Sequence, residues 1–221
     1  MNRIAKLLAD EAGLPMICDL SDELSHGVLV SNLAYRLAKE LELPEDFCYH
    51  MSVAGMMHDV GKLEIWQYLH QDEDQRLEIE RTRYTRTHPT LGYLRLLNEG
   101  FDPFVCEAVL HHHENYDGTG YPDNLKGEEI PLGARILRVC DVFAALVSDR
   151  PYRRAFSTET AMELLIDEVE HFDMWIFLAF QRVVAAPEFK EIHLLIKDYN
   201  EGYNRIRESA RRQQIEGEES V

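Results

Sequence analysis

His111, His112, His113 and Glu114 stand side by side and run into the glycine-rich turn formed by residues 117–122, Asp-Gly-Thr-Gly-Tyr-Pro. Imidazoles packed this closely repel one another when protonated, so their chemistry is that of neutral donors sharing a metal ion. His58 and Asp59 add a pair of different hardness, an imidazole suited to one ion and a carboxylate able to bridge two. Three residues after Asp59, Lys62 puts a cation just beyond such ions, where a phosphoryl oxygen needs one. Asp141 is flanked by Val139, Cys140, Val142 and Phe143, and its turn-spaced partners Leu137, Ala144 and Ala145 are apolar too. An isolated ionised carboxylate there is very costly, so it must be neutral, paired or metal-bound, and the nearby histidines favour the metal. Any one of these histidines taken alone reads as a hydrogen-bonded core residue. The argument for a metal rests on the set.

Helical spacing supplies the elements that position these groups. Phe104, Val105, Ala108 and Val109 share one face, and the spacing predicts a helix over 104–113 that carries His112 inward. His26, Val30, Leu33, Leu37 and Leu41 form the inward face of a core helix, with Asp22 one turn before His26. Asp22 fits two readings, a metal ligand or a first-turn acid favoured by the helix dipole. Pro44, Glu45 and Asp46 open a helix that passes through Met51 and Ala54 and ends by presenting His58 and Asp59, with Gly61 as its stop. His88 and Pro89 open another that stops at Gly100, His88 being a ligand or a neighbour of the cap. Pro131 introduces a helix over 132–150 that holds Asp141 and ends near Arg150, Arg153 and Arg154, suited to solvation or to anion recognition. Helices are also expected over 2–11, 157–170, 174–186 and 188–212, the charge-rich stretch 64–87 being loop or exposed helix. Strand signals are nearly absent, so the expected fold class is all-α.

At 221 residues and 45% hydrophobic, the chain has enough apolar surface for one sizeable core. We expect one globular unit built on residues 20–186, with a packing helix in 1–19 and a helix with a frayed tail in 187–221, and no separate sensor or receiver domain. A net charge of −17 argues against a polymeric nucleic-acid partner, because no basic run is present to neutralise a phosphate backbone. A phosphate-bearing substrate would then need local positive charge, which bound metals supply in an acidic protein. Cys18, Cys48, Cys106 and Cys140 form no CxxC pair and suit a reducing cytosol. The first residues lack a continuous apolar stretch, and the greasiest run, 174–180, is too short for a bilayer, so a cytoplasmic location without membrane partners is expected.

His26, the HDVGK segment at 58–62, HPTLG at 88–92, HHENYDGTGYP at 112–122 and RILRVCDVFAALVSDRPYR at 135–153 together resemble the HD-GYP family of metal-dependent phosphohydrolases, over about residues 20–181. The resemblance implies an HD-domain helical bundle and a centre of two or three divalent ions, commonly iron or manganese. It implies His26, His58, Asp59, His88, His112, His113 and Asp141 as ligands, with Asp59 as bridge. Where relatives with a third metal have a glutamate, this chain has Asp22. Lys62 is implied as the contact for the scissile phosphate, the turn of Gly120, Tyr121 and Pro122 as lining the substrate site, and Tyr121, Arg150 and Arg153 as contacts for the dinucleotide. His111 falls outside the matching pair. The implied reaction is attack of a hydroxide held between the metals on cyclic di-GMP, giving linear pGpG, with onward cleavage to GMP left open. Another cyclic dinucleotide such as cyclic GMP-AMP, a mononucleotide, or a non-catalytic receptor role remain as alternatives, and a homodimer or signalling-protein partner is compatible with each. The stretch after Lys62, LEIWQYLHQDEDQRLE, departs from the Ile-Pro loop and Lys-Pro-Gly turn usual in the family.

Overall fold

The protein is seen here as a computed structural model that describes residues 20–69, 85–150 and 153–218, with side chains over 23–65, 85–150 and 153–205. Nine α-helices are described: α1 (Leu20–Glu40), α2 (Glu45–Met57), α3 (Gly61–Leu69), α4 (His88–Asn98), α5 (Pro103–Leu110), α6 (Leu132–Val147), α7 (Thr158–Asp167), α8 (Met174–Ala185) and α9 (Lys190–Glu218). Among the described residues there is no strand, only an isolated antiparallel bridge between Arg150 and Arg153. The all-α expectation holds.

Two helices organise the rest. In α6 every residue from Gly133 to Val147 is buried except Arg135 and Arg138, and the helix packs against α1, α2, α5, α7 and α8. The α1 helix buries the stripe Leu29, Val30, Leu33 and Leu37, continued by Leu41 just past its end, and packs against α2, α6, α8 and α9. Their shared core is closed at one side by aromatic edges, with Phe143 at 5.2 Å from Phe180 and 6.0 Å from Phe189 between ring centres. Helix starts follow the local chemistry. Asp102 caps α5 by accepting from Phe104 N–H, Ser157 caps α7, and Asp173 accepts from Trp175 and Ile176 at the start of α8. Asp173 also accepts from Arg135 at 2.6 Å, which ties the outer face of α6 to α8.

Several helices near the chemistry end earlier than their periodicity predicts. The α5 helix stops at Leu110, not at 113, and Glu114 N–H bonds back to His111 O in a turn. On a continuing helix His112 and His113 would point about 100° apart. The turn instead brings their rings to 4.0 Å between centres. Likewise α2 ends at Met57, and Gly61 opens α3 as well as closing the turn after α2. A Cβ on Gly61 would lie 2.0 Å from His88 O, so only glycine lets the turn after His58-Asp59 touch the start of α4. The α6 helix ends at Val147, not at 150, because Ser148 Oγ donates back to Ala144 O and Asp149 is drawn toward α9. In the other direction, α9 continues to Glu218 through the tail expected to fray. The helix expected over 2–11 lies outside the described residues, as does 70–84.

Candidate metal centre

Three imidazoles are oriented by the backbone of their own turns. His58 Nδ1 donates to Gly55 O at 2.8 Å, His88 Nδ1 to Thr85 O at 2.5 Å and His112 Nδ1 to Val109 O at 2.6 Å. A ring that spends its Nδ1 proton in this way presents a lone pair at Nε2. His88 Nε2 lies 3.3 Å from His112 Nε2 and 3.2 Å from His113 Nε2, so lone pairs face one another. His58 Nε2 is buried and faces the carboxylates of Asp59 and Asp141. Such a set is self-repulsive unless a cation sits among the nitrogens. The donors present therefore fit a metal.

Asp59 joins the nitrogens into two groups. Its Oδ1 is 3.1 Å from His88 Nε2, whereas its Oδ2 is 3.1 Å from His58 Nε2 and 3.9 Å from His26 Nε2. Asp141 Oδ1 reaches His26 Nε2 at 3.1 Å and His58 Nε2 at 3.5 Å. Ligand atoms fall within 4.8 Å of one another in Asp59–His88–His112–His113, in His26–His58–Asp59 and in His58–His112–Asp141. These are His/Asp clusters able to hold metal.

The charge states agree with that use. Burial holds His112 neutral, down to about 3, and holds His26 and His113 below the ordinary histidine range. Burial also acts against charge on His58, but Asp59 and Asp141 override it and raise that ring to about 10. Burial opposes ionisation of Asp59 and Asp141 as well. The charges of His58 and Lys62 on Asp59, and hydrogen bonds from His26 and His58 on Asp141, nonetheless keep both well below the carboxylate range. Ionised carboxylates beside the neutral imidazoles of His26, His112 and His113 are donors suited to a divalent cation, which on binding would displace the proton of His58.

Around this cluster the other sequence-derived candidates take different places. Lys62 Nζ donates to Asp59 Oδ2 at 2.7 Å and lies 3.6 Å from Glu23 Oε1. Tyr121 stacks on His113 at 4.9 Å between ring centres, and the guanidinium of Arg86 sits 5.2 Å over the Tyr121 ring. Gly120 is needed beneath it, since a Cβ there would meet Glu114 Cα at 2.4 Å. The Tyr121–Pro122 peptide is cis. Arg150 is near enough for its charge to act on both His26 and Lys62. Arg153, expected to contact the dinucleotide, donates to the carbonyls of Ala145, Leu146 and Arg154 and covers the Phe156 ring, which caps the end of α6. Asp22 lies on the first turn of α1, and its side chain is outside the described ones. His111 points away from the cluster, toward Glu107, Glu114 and Asp123.

Sequence reasoning overlooked Glu23, whose spacing of three from His26 was a usable signal, and Asp149. Asp149 Oδ1 accepts from Ala155 N–H at 2.7 Å and its Oδ2 from Asn204 at 2.7 Å, while Asn200 bonds both Asp149 N–H and Val147 O. This holds the Arg150 loop on α9. No local pattern links Asp149 to residues some 50 positions away.

The family model of the HD domain matches residues 7–176 of the sequence. The chain belongs to the HD domain family. Among curated relatives, the HD protein is 37% identical over 168 residues to a cyclic di-GMP phosphodiesterase of Pseudomonas aeruginosa, covering 75% of this chain and 40% of that one. It is 36% identical over 149 residues to a 3'3'-cGAMP-specific phosphodiesterase of Vibrio cholerae, covering 65% and 33%. This HD chain thus spans well under half the length of either relative. A solved cyclic GMP-AMP specific phosphodiesterase of V. cholerae has the same fold, with a TM-score of 0.58 at 20% identity over 77% of this chain and 48% of that one. Among the described residues no helix is long and apolar enough to cross a membrane.

Proposed function

We propose that this HD domain is an HD-GYP-type phosphodiesterase that hydrolyses cyclic di-GMP to linear pGpG and onward to GMP, using two divalent ions, iron or manganese. The observation that carries the reading is Asp59, whose two oxygens face separate groups of histidine nitrogens, as a carboxylate shared by two ions requires. His88, His112 and His113 would hold one ion, and His26, His58 and Asp141 the other. Bound there, the ions supply an acidified water as nucleophile and charge stabilisation for in-line displacement at phosphorus.

The chain's own residues do the remainder. Lys62, beside Asp59, neutralises charge that builds on the equatorial phosphoryl oxygens. Burial raises the Tyr121 phenol above its ordinary value, so it stays protonated and can donate to a phosphate while its ring packs on a base. Arg150 adds fixed positive charge for the second phosphate of the ring. Arg153 acts indirectly, by holding the end of α6 from which that loop departs. The identity to phosphodiesterases named for cyclic di-GMP supports this substrate.

A second reading, cyclic GMP-AMP as substrate, is favoured by the 36% identity to the 3'3'-cGAMP-specific relative. The test is one metal-loaded preparation of the whole chain assayed on cyclic di-GMP, 3'3'-cGAMP and cyclic GMP, with products separated by chromatography. Preferential formation of pGpG and GMP supports the first reading, and preference for cGAMP the second. Binding of a cyclic dinucleotide without turnover in the metal-loaded protein would reverse the enzymatic reading in favour of a receptor.

A further inference from the structure

One more donor group lies on the far side of the histidine run. His111 is the cap of α5, and its side chain is 8% exposed. Its Nε2 lies 3.4 Å from Glu107 Oε2, one helical turn back. In the tautomer that keeps its proton at Nε2, on the side of Glu107, the ring turns a lone pair outward at Nδ1. That Nδ1 is buried without a hydrogen-bond partner, 4.0 Å from Glu114 Oε1 and 3.7 Å from Asp123 Oδ2. Glu114 is 1% exposed; its Oε1 accepts from Asp123 N–H at 2.7 Å, and its Oε2 has no partner. Two buried polar atoms side by side, His111 Nδ1 and Glu114 Oε2, are left without a partner, which is unfavourable as it stands.

We propose that His111, Glu114 and Asp123 bind a divalent transition cation, distinct from the ions of the Asp59 centre, which clamps the two ends of the 111–123 loop. The three ligand atoms already lie within 4.8 Å of one another. Ligands about 2.0–2.2 Å from zinc stand roughly 3–3.5 Å apart, so closure by a fraction of an ångström to about an ångström completes the site. One imidazole and two carboxylates suit Zn2+ or Mn2+, and Glu107 stands where an outer-shell carboxylate orients a ligating histidine. Asp123, with its side chain 58% exposed, gives the ion a way in and leaves positions for water. The clamp would act on the loop that carries His112, His113 and Tyr121, holding the aromatic ring over the neighbouring centre. It does not depend on which nucleotide, if any, is hydrolysed there.

The experiment uses the whole chain stripped by a chelator and titrated with Mn2+ or Zn2+, read by calorimetry and, for Mn2+, by electron paramagnetic resonance. Four proteins are compared: wild type, Asp123→Asn, Asp59→Ala and the double variant. Asp123 is exposed and its backbone bond to Glu114 survives the change, so the fold is retained. Asp123→Asn is expected to bind about one equivalent fewer than wild type, and the double variant about one fewer than Asp59→Ala. Glu114→Gln, which keeps an acceptor for Asp123 N–H, should repeat the loss. Metal should also slow proteolysis within 114–123 in the wild type and not in Asp123→Asn. Equal uptake by wild type and Asp123→Asn, and by the two proteins carrying Asp59→Ala, would overturn the proposal and leave the group as an ion-pair cluster.

Discussion

Asp59 has its two oxygens committed to different histidine groups, and among the described residues no neighbouring carboxylate duplicates that geometry. Asp59→Ala should therefore lose metal and turnover together, by more than the roughly 100-fold typical of outer-shell partners alone; elemental analysis beside product assays checks this, and normal turnover in a metal-poor variant would refute it. Lys62→Ala is expected to differ in kind, keeping its metal while kcat falls by about 10²–10³-fold. His58 gives a pH prediction. In the metal-free protein its folded value, about 10, lies above the ordinary histidine value near 6.5. Its protonated form thus stabilises the fold fully below that ordinary value, and the contribution is lost as pH rises through about 10. A metal must displace this proton, so binding at pH 8 should release about one proton and tighten as pH rises. Calorimetry in two buffers of different ionisation enthalpy measures the release. At this scale the gathering of His26, His58, Asp59, His88, His112, His113 and Asp141 into one cluster was legible because each stands in a recognisable segment. The engagement of Arg153 with helix carbonyls was not, because a guanidinium beside a proline has the same sequence whether it meets substrate or backbone.

Helix ends, more than helix middles, make the site. The starts near Pro44, 157 and 174 were readable from sequence, and the caps Ser157 and Asp173 that hold two of them are local. The stops after Leu110 and Val147 were not, because helical periodicity does not show the turns that close there, through Glu114 N–H on His111 O and through Ser148 on Ala144 O with Asn200 drawing Asp149 away. Gly61 illustrates this. Read from sequence it is a helix stop, whereas in the fold it is the contact point of α3 with His88 O. Gly61→Ala should cost about 1–3 kcal/mol of stability and weaken metal binding, since the two ligand-bearing turns must separate; denaturant midpoints and metal titration measure both. On the other side, Asn200→Ala removes the tie from α9 to Val147 and Asp149. It is expected to cost about 1–3 kcal/mol and to weaken substrate binding through the Arg150 loop, with metal content unchanged.

For the molecule as a whole, a net charge of −17 surrounds a centre that needs cations and would receive an anion. Metal held there would be a stabilising ligand of the folded state. Removal of metal with a chelator should lower the melting temperature, by an amount equivalent to roughly 2.7 kcal/mol for each site held at 100-fold over its dissociation constant. The all-α class was legible throughout because helical periodicity is local, and the central place of α1 and α6 followed from their apolar runs around His26 and Asp141. The measurement that bears most directly on the account is elemental analysis of the anaerobically purified chain joined to chromatography of its products from cyclic di-GMP with iron or manganese. The prediction is at least two metal ions per chain, with pGpG or GMP formed. A folded, metal-replete chain that leaves every cyclic dinucleotide intact, or one that takes up no metal at the Asp59 centre, would contradict it.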